Sequence, residues 1–423
     1  MQYSDLSKQF GIEHYSTTCK GIGGRIKYRY ADFIVEEVDF ENKLCKARRF
    51  IKEKIPKEKS MPKLPKKMEK DYLHLDLEKI NKDLNFVIKR VARFLGISRK
   101  RIGYAGLKDK RSVSCQRISI YRPNIERLRE LKIAGVAFHR AKESNERIEL
   151  GMLKGNLFTV TIRNIKLERE EIEKRIKRCF NEAKQGIANY FGEQRFGSMR
   201  AITHIIGREL IKGNFEKAVK MYLTTTFDME KEEIKNARKK LAKDWDFKKA
   251  LREFPKECLF ERAMLDHLSK YPRDFVGAFQ KMPKAMRYLF THAFQSYLFN
   301  KVVSERIAQG IGLKPVDGDI CKEGIATAPL YGYECKLAKG IPGKIEKQVL
   351  KDEGLKLSDF RVKSFPEISS KGARRKIIFF PKRMKLIEIK KDEFFDDAYK
   401  AKISFYLPKG CYATVLLREI MKN

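Results

Sequence analysis

The chain has 423 residues, with 93 lysines and arginines against 55 aspartates and glutamates, which gives a formal net charge of +38. Hydrophobic residues make up 42% of it, enough for folded cores, and this excludes a disordered basic tail. A folded protein with so much excess charge repels itself unless its usual partner is a polyanion. We therefore expect a nucleic-acid partner; the alternative is the charge-rich surface of a thermophilic protein. The length favours two domains.

Several classes of protein are disfavoured by what the sequence lacks. Its eight cysteines and six histidines are scattered without the spacings of a disulfide scaffold or a zinc site, so we expect reduced thiols and no metal. No phosphate-binding or dinucleotide-binding loop is recognisable, which predicts that no cofactor is bound. The chain shows neither a secretory signal nor an apolar stretch of membrane-spanning length, so we expect a cytoplasmic protein without membrane contact.

The N-terminal part reads as strands and a helix around a basic segment. Alternating apolar residues predict a strand over residues 25–37. From Lys46 to Lys70 the chain carries eleven basic residues and three prolines, a combination that predicts a mobile loop, either solvated or in contact with RNA. Period-two alternation predicts a half-buried strand over Tyr72–Glu78. Apolar residues at helical spacing then predict a helix over Leu84–Leu95 that ends at Gly96.

The remaining elements lie on both sides of a change of character near residue 185. Strands are predicted over 102–107, 113–120 and 157–163, and a helix over 172–183. Residues 185–372 are rich in helical patterns, including 229–252 and 284–309. Strand patterns return at 377–381 and 403–407 before a short C-terminal helix. Strands at both ends with helices between them predict an α+β domain interrupted by a large, mainly helical insertion.

Asp109 is the side chain that stands out as a candidate for chemistry. It lies between Lys108 and Lys110 in a loop that connects two predicted strands. Neighbouring cations favour the ionised carboxylate. A carboxylate repels phosphate, so its place in a basic RNA-binding cleft is explained if it acts as a nucleophile or base. The alternative is a turn aspartate held in local ion pairs.

Two further segments have both a functional and a structural interpretation. Residues 189–197, Asn-Tyr-Phe-Gly-Glu-Gln-Arg-Phe-Gly, fit a loop that stacks on bases or contacts phosphate, but also a packed aromatic turn. Gly155, Asn156 and Phe158 place an amide and an aromatic ring at the start of a strand. Phe158 is either a stacking platform or a core residue.

Five stretches together resemble the tRNA pseudouridine synthase D (TruD) family, in the order in which the family has them. The first is Lys27 followed by Asp32-Phe33-x-Val35-x-Glu37, with Tyr30-Ala31 where the family usually has Pro-Glu. The others are Gly106-Leu107-Lys108-Asp109-Lys110, Lys154-Gly155-Asn156-x-Phe158, Asn189-Tyr190-Phe191-Gly192-x-Gln194-Arg195-Phe196-Gly197, and Leu407-Pro408-x-Gly410-x-Tyr412-Ala413-Thr414 with Leu417-Arg418-Glu419.

The resemblance implies a pseudouridine synthase catalytic domain of mixed or antiparallel sheet with flanking helices, over 1–187 and 373–423. It also implies a largely helical α/β insertion domain over 188–372. The implied activity is the isomerisation of a uridine in tRNA to pseudouridine, in the dihydrouridine-arm region and specifically at nucleotide 13. Such an enzyme is expected to use no cofactor or metal and to be a monomer.

The resemblance also implies roles for individual residues. Asp109 would be the catalytic aspartate, acting at the ribose either by covalent attack or by proton removal towards a glycal. Phe158 would stack on the extruded base, and Asn156 would hydrogen-bond in the same pocket. Lys27 would pair with the aspartate, and Lys108 and Lys110 would place further positive charge beside it.

Three rival functions are compatible with a basic RNA-binding chain. A non-catalytic tRNA-binding or RNA-folding protein that kept the fold would be expected to have lost Asp109 or Phe158, and both are present. An RNA methyltransferase needs a glycine-rich cofactor loop. An interaction module of a larger ribonucleoprotein leaves the Lys-Asp-Lys loop without a purpose.

Overall fold

The computed structural model describes residues 7–52, 61–197 and 200–423, and the chain divides into two compact units. The sheet unit comprises residues 16–187 and 379–423, and the helical unit comprises residues 7–15 and 188–378 within the described ranges. The sequence placed residues 7–15 and 373–378 in the catalytic domain, whereas in the structure both pack with the helical unit. Residues 53–60, the middle of the predicted basic loop, lie outside the described residues.

The strands of the described chain are numbered in order. They are β1 (Phe33–Asp39), β2 (Tyr72–Ile80), β3 (Ile102–Tyr104), β4 (Val113–Tyr121), β5 (Val136–Ser144), β6 (Leu153–Ile165), β7 (Ile187–Ala188), β8 (Cys321–Lys322), β9 (Ile325–Leu330), β10 (Ala373–Lys376), β11 (Ile378–Phe379), β12 (Lys382–Lys391) and β13 (Tyr399–Pro408).

The α-helices follow the same numbering. They are α1 (Leu84–Leu95), α2 (Ile125–Glu130), α3 (Arg169–Ala183), α4 (Thr203–Ile211), α5 (Phe215–Thr224), α6 (Glu232–Asp244), α7 (Phe247–Glu253), α8 (Leu259–Lys270), α9 (Phe275–Gln280), α10 (Lys284–Ala308), α11 (Gly340–Asp352) and α12 (Ala413–Met421). Short 3₁₀ turns occur at Tyr30–Asp32, Arg99–Arg101, Glu193–Arg195, Leu357–Phe360 and Pro366–Ile368.

A mixed sheet of eight strands forms the sheet unit. Seven strands run in the order β12-β13-β6-β1-β4-β2-β5, and β3 pairs with β4 beside them. Only the central β1–β4 pair is parallel, and the other pairs in this sheet are antiparallel. The predicted α+β class with a mixed sheet and flanking helices is confirmed.

Helix α1 covers one face of this sheet. Its apolar side packs with Leu73, Leu75 and Leu77 of β2. The helix begins with Asp83 accepting the Phe86 N–H and ends at Gly96 in a left-handed conformation with φ +68°, as the sequence predicted.

Strand β2 is buried on both faces, so the prediction that it is half-buried was wrong. Its polar residues Asp76 and Glu78 are buried as well as its leucines. Asp76 pairs with Arg117, and Glu78 accepts hydrogen bonds from backbone N–H groups and from His139. Charged partners make burial possible at positions that an alternating pattern assigns to solvent.

The helical unit is built around α10, a helix of 25 residues that matches the predicted helix over 284–309. The predicted helix over 229–252 is two helices, α6 and α7. Trp245 separates them in a left-handed conformation with φ +51°, and Asp246 caps α7 by accepting the Lys249 N–H. A strong N-cap directly after the turn favours a new helix over continuation.

Three general features of the described residues concern thiols, metals and membranes. All eight cysteines are free thiols. Within the described ranges, no group of three or more His, Cys, Asp and Glu side chains is arranged to hold a metal ion. Of the helices described, none combines the length and the apolar character needed to cross a membrane.

Candidate active site around Asp109

Asp109 lies in the loop between β3 and β4, which form an antiparallel hairpin. The predicted strand over 102–107 ends at Tyr104, so this loop spans residues 105–112. The Ser112 hydroxyl donates to the Asp109 carbonyl at 2.7 Å, and the Gln116 amide donates to the Gly106 carbonyl at 2.9 Å. A side chain at the end of the loop and one in β4 therefore fix the loop that carries the carboxylate.

Lys27 is the direct partner of the Asp109 carboxylate. Its Nζ lies 2.8 Å from Asp109 Oδ2 and 4.3 Å from the centre of the Phe33 ring. The lysine adopts φ +57°, a left-handed conformation that is uncommon for a side chain other than glycine. The Asp109 side chain remains 34% exposed. Two residues 82 positions apart thus form an ion pair that a substrate can still reach.

Lys108 does not pair with its neighbour Asp109 but with Glu37 of β1. The Lys108 Nζ to Glu37 Oε2 distance is 2.5 Å, and the side chains are 4% and 0% exposed. The other Glu37 oxygen accepts the Arg117 N–H at 3.2 Å. The sequence grouped Lys108 with the charges around Asp109, and the structure instead shows a buried ion pair joining the loop to the sheet. Lys110, also predicted for the site, is exposed.

Lys79 of β2 is a functional candidate that the sequence reasoning missed. Its buried Nζ donates to the Asp109 carbonyl at 2.9 Å and the Lys108 carbonyl at 3.5 Å. Burial lowers the pKa of Lys79 to about 8, and the Lys108 charge adds to this, although Asp109 and Asp83 act in the opposite direction. The signal was a lysine continuing the alternate positions that are leucine earlier in β2.

Phe158 belongs to a cluster of three aromatic rings beside this ion pair. It lies opposite Val35 of β1 and Phe405 of β13 in the sheet register. Its ring stacks on Phe405 with centres 5.4 Å apart and meets Phe33 edge-on at 6.0 Å. Phe158 is only 7% exposed, so most of its ring is packed, and Phe33 connects it to Lys27.

Asn156 lies two residues before Phe158, opposite Glu37 and Leu407 in the neighbouring strands. Its Oδ1 is buried, and among the described residues no donor reaches it. The adjacent Gly155 allows close approach of β6 to β13, because a Cβ there would lie 2.2 Å from the Leu407 carbonyl oxygen. A buried acceptor without a partner is a candidate contact for a bound ligand.

The first family-like motif anchors Lys27 to the sheet. Asp32 is buried and accepts hydrogen bonds from the Arg29 N–H at 2.7 Å and from Arg163 Nε at 2.8 Å. Arg163 also pairs with Asp392 at 3.0 Å. In the same motif, Phe33 lies beneath the Lys27 ammonium and Glu37 pairs with Lys108. Asp32, Phe33 and Glu37 therefore all support the arrangement around Asp109.

One end of the predicted basic loop, residues 47–50, is docked on the face of the sheet opposite α1. Glu36 accepts the Ala47 N–H, and Glu78 accepts the N–H groups of Arg48, Arg49 and Phe50 at 2.9–3.1 Å. Ala47 and Phe50 are buried. The prediction of a mobile loop throughout 46–70 was therefore wrong for residues 47–50.

The segment over 189–197 is a packed turn within the helical unit. Tyr190 and Phe196 are fully buried. The Tyr190 hydroxyl is 3.0 Å from Ser304 Oγ, and the Phe191 N–H donates to Asn300 Oδ1 at 2.8 Å, both on α10. Of the two interpretations of this motif, the packed aromatic turn is the one observed.

Comparison with known proteins is consistent with this arrangement. A family model described as tRNA pseudouridine synthase D (TruD) matches residues 9–324 and 322–420. A Methanosarcina mazei protein named probable tRNA pseudouridine synthase D is 36% identical over 456 residues, covering 100% of this chain and 98% of its own length. One of the same name from Methanopyrus kandleri is 39% identical over 352 residues, covering 82% and 84%. The crystal structure of the putative tRNA pseudouridine synthase D (TruD) from Methanosarcina mazei matches with a TM-score of 0.79 at 36% identity, covering 100% and 99%. Sequence, motifs and fold agree that this chain belongs to the tRNA pseudouridine synthase D (TruD) family.

Proposed function

We propose that this protein converts a uridine of tRNA to pseudouridine, at nucleotide 13 in the dihydrouridine arm, with Asp109 as the catalytic residue. The observation that carries the proposal is the Lys27–Asp109 ion pair, 2.8 Å long and partly exposed, on a loop held by buried side chains. A fixed, accessible carboxylate is suited to act on a ribose that is brought to it.

The reaction breaks the bond from the ribose C1′ to uracil N1 and forms a bond from C1′ to uracil C5. The proton released from C5 is balanced by one gained at N1, so no atom or electron is supplied from outside. Asp109 acts either by attacking C1′ or by removing the 2′ proton, and both routes require its carboxylate to be unprotonated. An isomerisation of this kind has no requirement for a cofactor or a metal.

Asn156 and Phe158 are assigned to the extruded uracil. Taking a base out of the stack costs on the order of a few kcal/mol, which contacts in the pocket must offset. No donor in the described part of the chain reaches the Oδ1 of Asn156, so this oxygen is available to accept a uracil N–H. The exposed part of Phe158 provides an aromatic wall, and Phe405 and Phe33 hold its ring in place.

The three lysines predicted from the sequence receive different roles. Lys27 positions Asp109 directly. Lys108 positions the loop through its buried ion pair with Glu37. Lys110 is exposed and is assigned to phosphate of the substrate. We place this activity in a cytoplasmic monomer, as for an enzyme that meets one folded tRNA at a time.

Replacing the carboxylate tests the proposal. Asp109→Asn keeps the size of the side chain but removes the base or nucleophile, so we expect turnover to fall on the order of 10³-fold or more. Pseudouridine is measured by carbodiimide modification and reverse-transcription stops, and affinity by binding of bulk tRNA. The control is Asp396→Asn, an exposed aspartate of the same unit.

Two outcomes would contradict the proposal. Turnover by Asp109→Asn at the wild-type rate would remove Asp109 from the chemistry. A wild-type protein that binds tRNA but forms no pseudouridine would instead support the non-catalytic RNA-binding alternative.

A further inference from the structure

A cleft of about 380 Å³ lies on the outer side of α1, away from the residues assigned to the uracil pocket. One wall is α1 and the other is the segment after α2 that leads to β5. Six residues define it here as the α1 cleft: Lys82, Phe86, Arg90, Arg93, Phe94 and Lys132.

The α1 cleft combines four cations with two exposed aromatic rings. Phe86 and Phe94 are 45% and 37% exposed. Lys82 Nζ and the Arg90 guanidinium lie 5.9 Å and 5.5 Å from the centre of the Phe86 ring. The lining of the α1 cleft contains no acidic residue that could pair with its four cations.

This pattern is not required for folding. The core side of α1 is formed by other residues, including Leu84, Val87 and Val91, which are fully buried. Phe86, Arg90 and Phe94 recur every four residues within α1, so they share one face of the helix, and Lys82 lies just before the helix begins. The side of a helix that faces away from the core has no need of aromatic rings for packing. Exposed rings that alternate with cations on that side are explained if a flat, anionic molecule covers them.

We propose that the α1 cleft is an RNA-binding subsite that takes a nucleotide of the substrate outside the target uridine. Phe86 and Phe94 offer surfaces on which a base stacks, and the four cations contact the adjoining phosphates. The cleft volume lies within the range of small-molecule sites. This inference rests on the proposed function, because it takes tRNA as the partner.

The α1 cleft is connected to the loop that carries Asp109. Lys82 directly follows Asn81, whose N–H donates to the Ser112 carbonyl at 3.1 Å, three residues after Asp109. The Asn81 amide also donates to the Tyr30 hydroxyl at 2.8 Å. RNA with one nucleotide at Asp109 is therefore well placed to contact the nearby Lys82 end of the cleft.

Other occupants fit these observations less well. A second copy of the chain would bring four like charges against four in a symmetric contact, which is repulsive. An anionic membrane favours a projecting apolar face, whereas these rings line a concave cleft and the apolar side of α1 is buried.

Binding of bulk tRNA in an Asp109→Asn background tests the subsite without turnover. Replacing Phe86 by leucine keeps apolar volume but removes the aromatic face, so affinity should fall at least about fivefold with little change in salt dependence. Replacing Arg90 and Arg93 together by glutamine should reduce the slope of log affinity against log salt by about one per lost phosphate contact. These two signatures separate stacking from charge.

The control is the double variant Lys89→Gln with Lys174→Gln, which removes two exposed charges outside the cleft. We expect its affinity to stay within about twofold of the parent, so that loss of charge alone is excluded. Circular dichroism of each variant establishes that the fold is retained.

Three results would overturn the inference. The first is that Phe86→Leu and the double glutamine variant of Arg90 and Arg93 both bind tRNA with the affinity of the control. The second is a change of molar mass with Phe86→Leu in light scattering, which indicates a second copy as occupant. The third is that the cleft variants lose binding to phosphatidylserine vesicles while their tRNA affinity is unchanged, which indicates a membrane as the occupant. Wild-type protein that forms no pseudouridine would refute the proposed function alone, since the binding measurement does not depend on turnover.

Discussion

At the scale of single residues, the buried ammonium of Lys79 is the least expected part of the site. It donates to the carbonyls of Asp109 and Lys108, so it holds the backbone of the loop while Lys27 holds the carboxylate. Burial lowers its pKa to about 8, which is within reach of ordinary assay conditions. Charged donors make stronger hydrogen bonds than neutral ones, so the hydrogen bonds from Lys79 to the loop carbonyls should weaken when Lys79 loses its proton.

Lys79→Met should lower turnover at saturating tRNA and alter its pH dependence. In the wild type we expect turnover to decline as pH rises through about 8, because the ammonium becomes a neutral amine. The turnover of Lys79→Met should be lower than that of the wild type at neutral pH and should not decline as pH rises through about 8. The measurement is the rate of pseudouridine formation between pH 6 and 9.5, with the exposed Lys89→Met as control. An identical alkaline decline in variant and wild type would show that Lys79 does not act on the loop.

Folding stability gives an independent reading of the same group. The pKa of Lys79 is lower in the folded state than its ordinary value of 10.5, so the unfolded chain binds more protons between these pH values. The free energy of unfolding of the wild type should therefore rise relative to that of Lys79→Met as pH increases from about 8 towards 10.5.

The ion pair between Lys27 and Asp109 was predicted from the sequence, but the other contacts around it were not. Asp109 stands out as a carboxylate among cations, and its link to Lys27 was implied by the family motif. Adjacent residues in a loop point in different directions, however, so Lys108 contacts Glu37 and not Asp109. Lys79 was missed because a buried lysine is stabilised by backbone carbonyls, and these contacts exist only in the folded chain.

At the scale of elements, the segment over 47–50 is held by carboxylates instead of by a strand or helix. Four consecutive backbone N–H groups donate to Glu36 and Glu78. Burial alone would raise the pKa of Glu78, but hydrogen bonds from His139 and from this backbone lower it below its usual value. The basic segment therefore leaves the sheet from a fixed starting point.

Glu78→Gln should loosen this segment. A glutamine has one acceptor oxygen where the carboxylate has two, and its amide hydrogens repel the N–H groups of residues 48–50. Losing hydrogen bonds to a charged group lowers the free energy of local opening by about 1.5–3 kcal/mol. Amide exchange at residues 48–50 should therefore speed up by roughly 10- to 150-fold. Hydrogen-exchange mass spectrometry measures this, with the exposed Glu126→Gln as control. Unchanged exchange at these amides would show that other contacts hold the segment.

Element types were easier to predict than element ends. Helix α1 and the long α10 follow from apolar periodicity, which their packing preserves. The break at Trp245 depends on one residue in a left-handed conformation, and the burial of Asp76 depends on Arg117 of another strand. Neither can be predicted from the pattern of neighbouring residues. The break depends on the backbone conformation of a single residue, and the burial of Asp76 depends on a partner that is distant in the sequence.

At the scale of the whole molecule, the net charge of +38 opposes folding even though many local ion pairs are attractive. Buried pairs such as Lys108–Glu37 are poorly screened by salt, whereas long-range repulsion is screened well. The change of composition near residue 185 lies close to the division between the two units at residues 187 and 188. The place of residues 7–15 in the helical unit has no counterpart in composition, because it depends on packing contacts such as that of Phe10 with Phe196, whose ring centres are 4.6 Å apart.

Raising KCl from about 0.1 M to 1 M should therefore raise the midpoint of thermal unfolding. The screening length falls from about 10 Å to about 3 Å, which removes repulsion among exposed charges and leaves buried pairs nearly intact. Heparin, a polyanion that is not a substrate, should have the same effect at low salt, and polylysine should not. A midpoint that falls with added salt would mean that surface attractions outweigh the net repulsion.

The position of β13 in the sheet has a consequence for biosynthesis. This strand, residues Tyr399–Pro408, pairs with β6 on one side and β12 on the other, yet it is translated after the entire helical unit. Until it emerges from the ribosome, β6 presents an unpaired edge, and Phe158 lacks the Phe405 ring on which it stacks. A nascent chain that already contains Asp109, Asn156 and Phe158 thus has an incomplete site for more than half of its synthesis. Chains truncated before residue 399 are expected to be inactive and prone to edge-to-edge aggregation, so the enzyme becomes competent only when nearly finished.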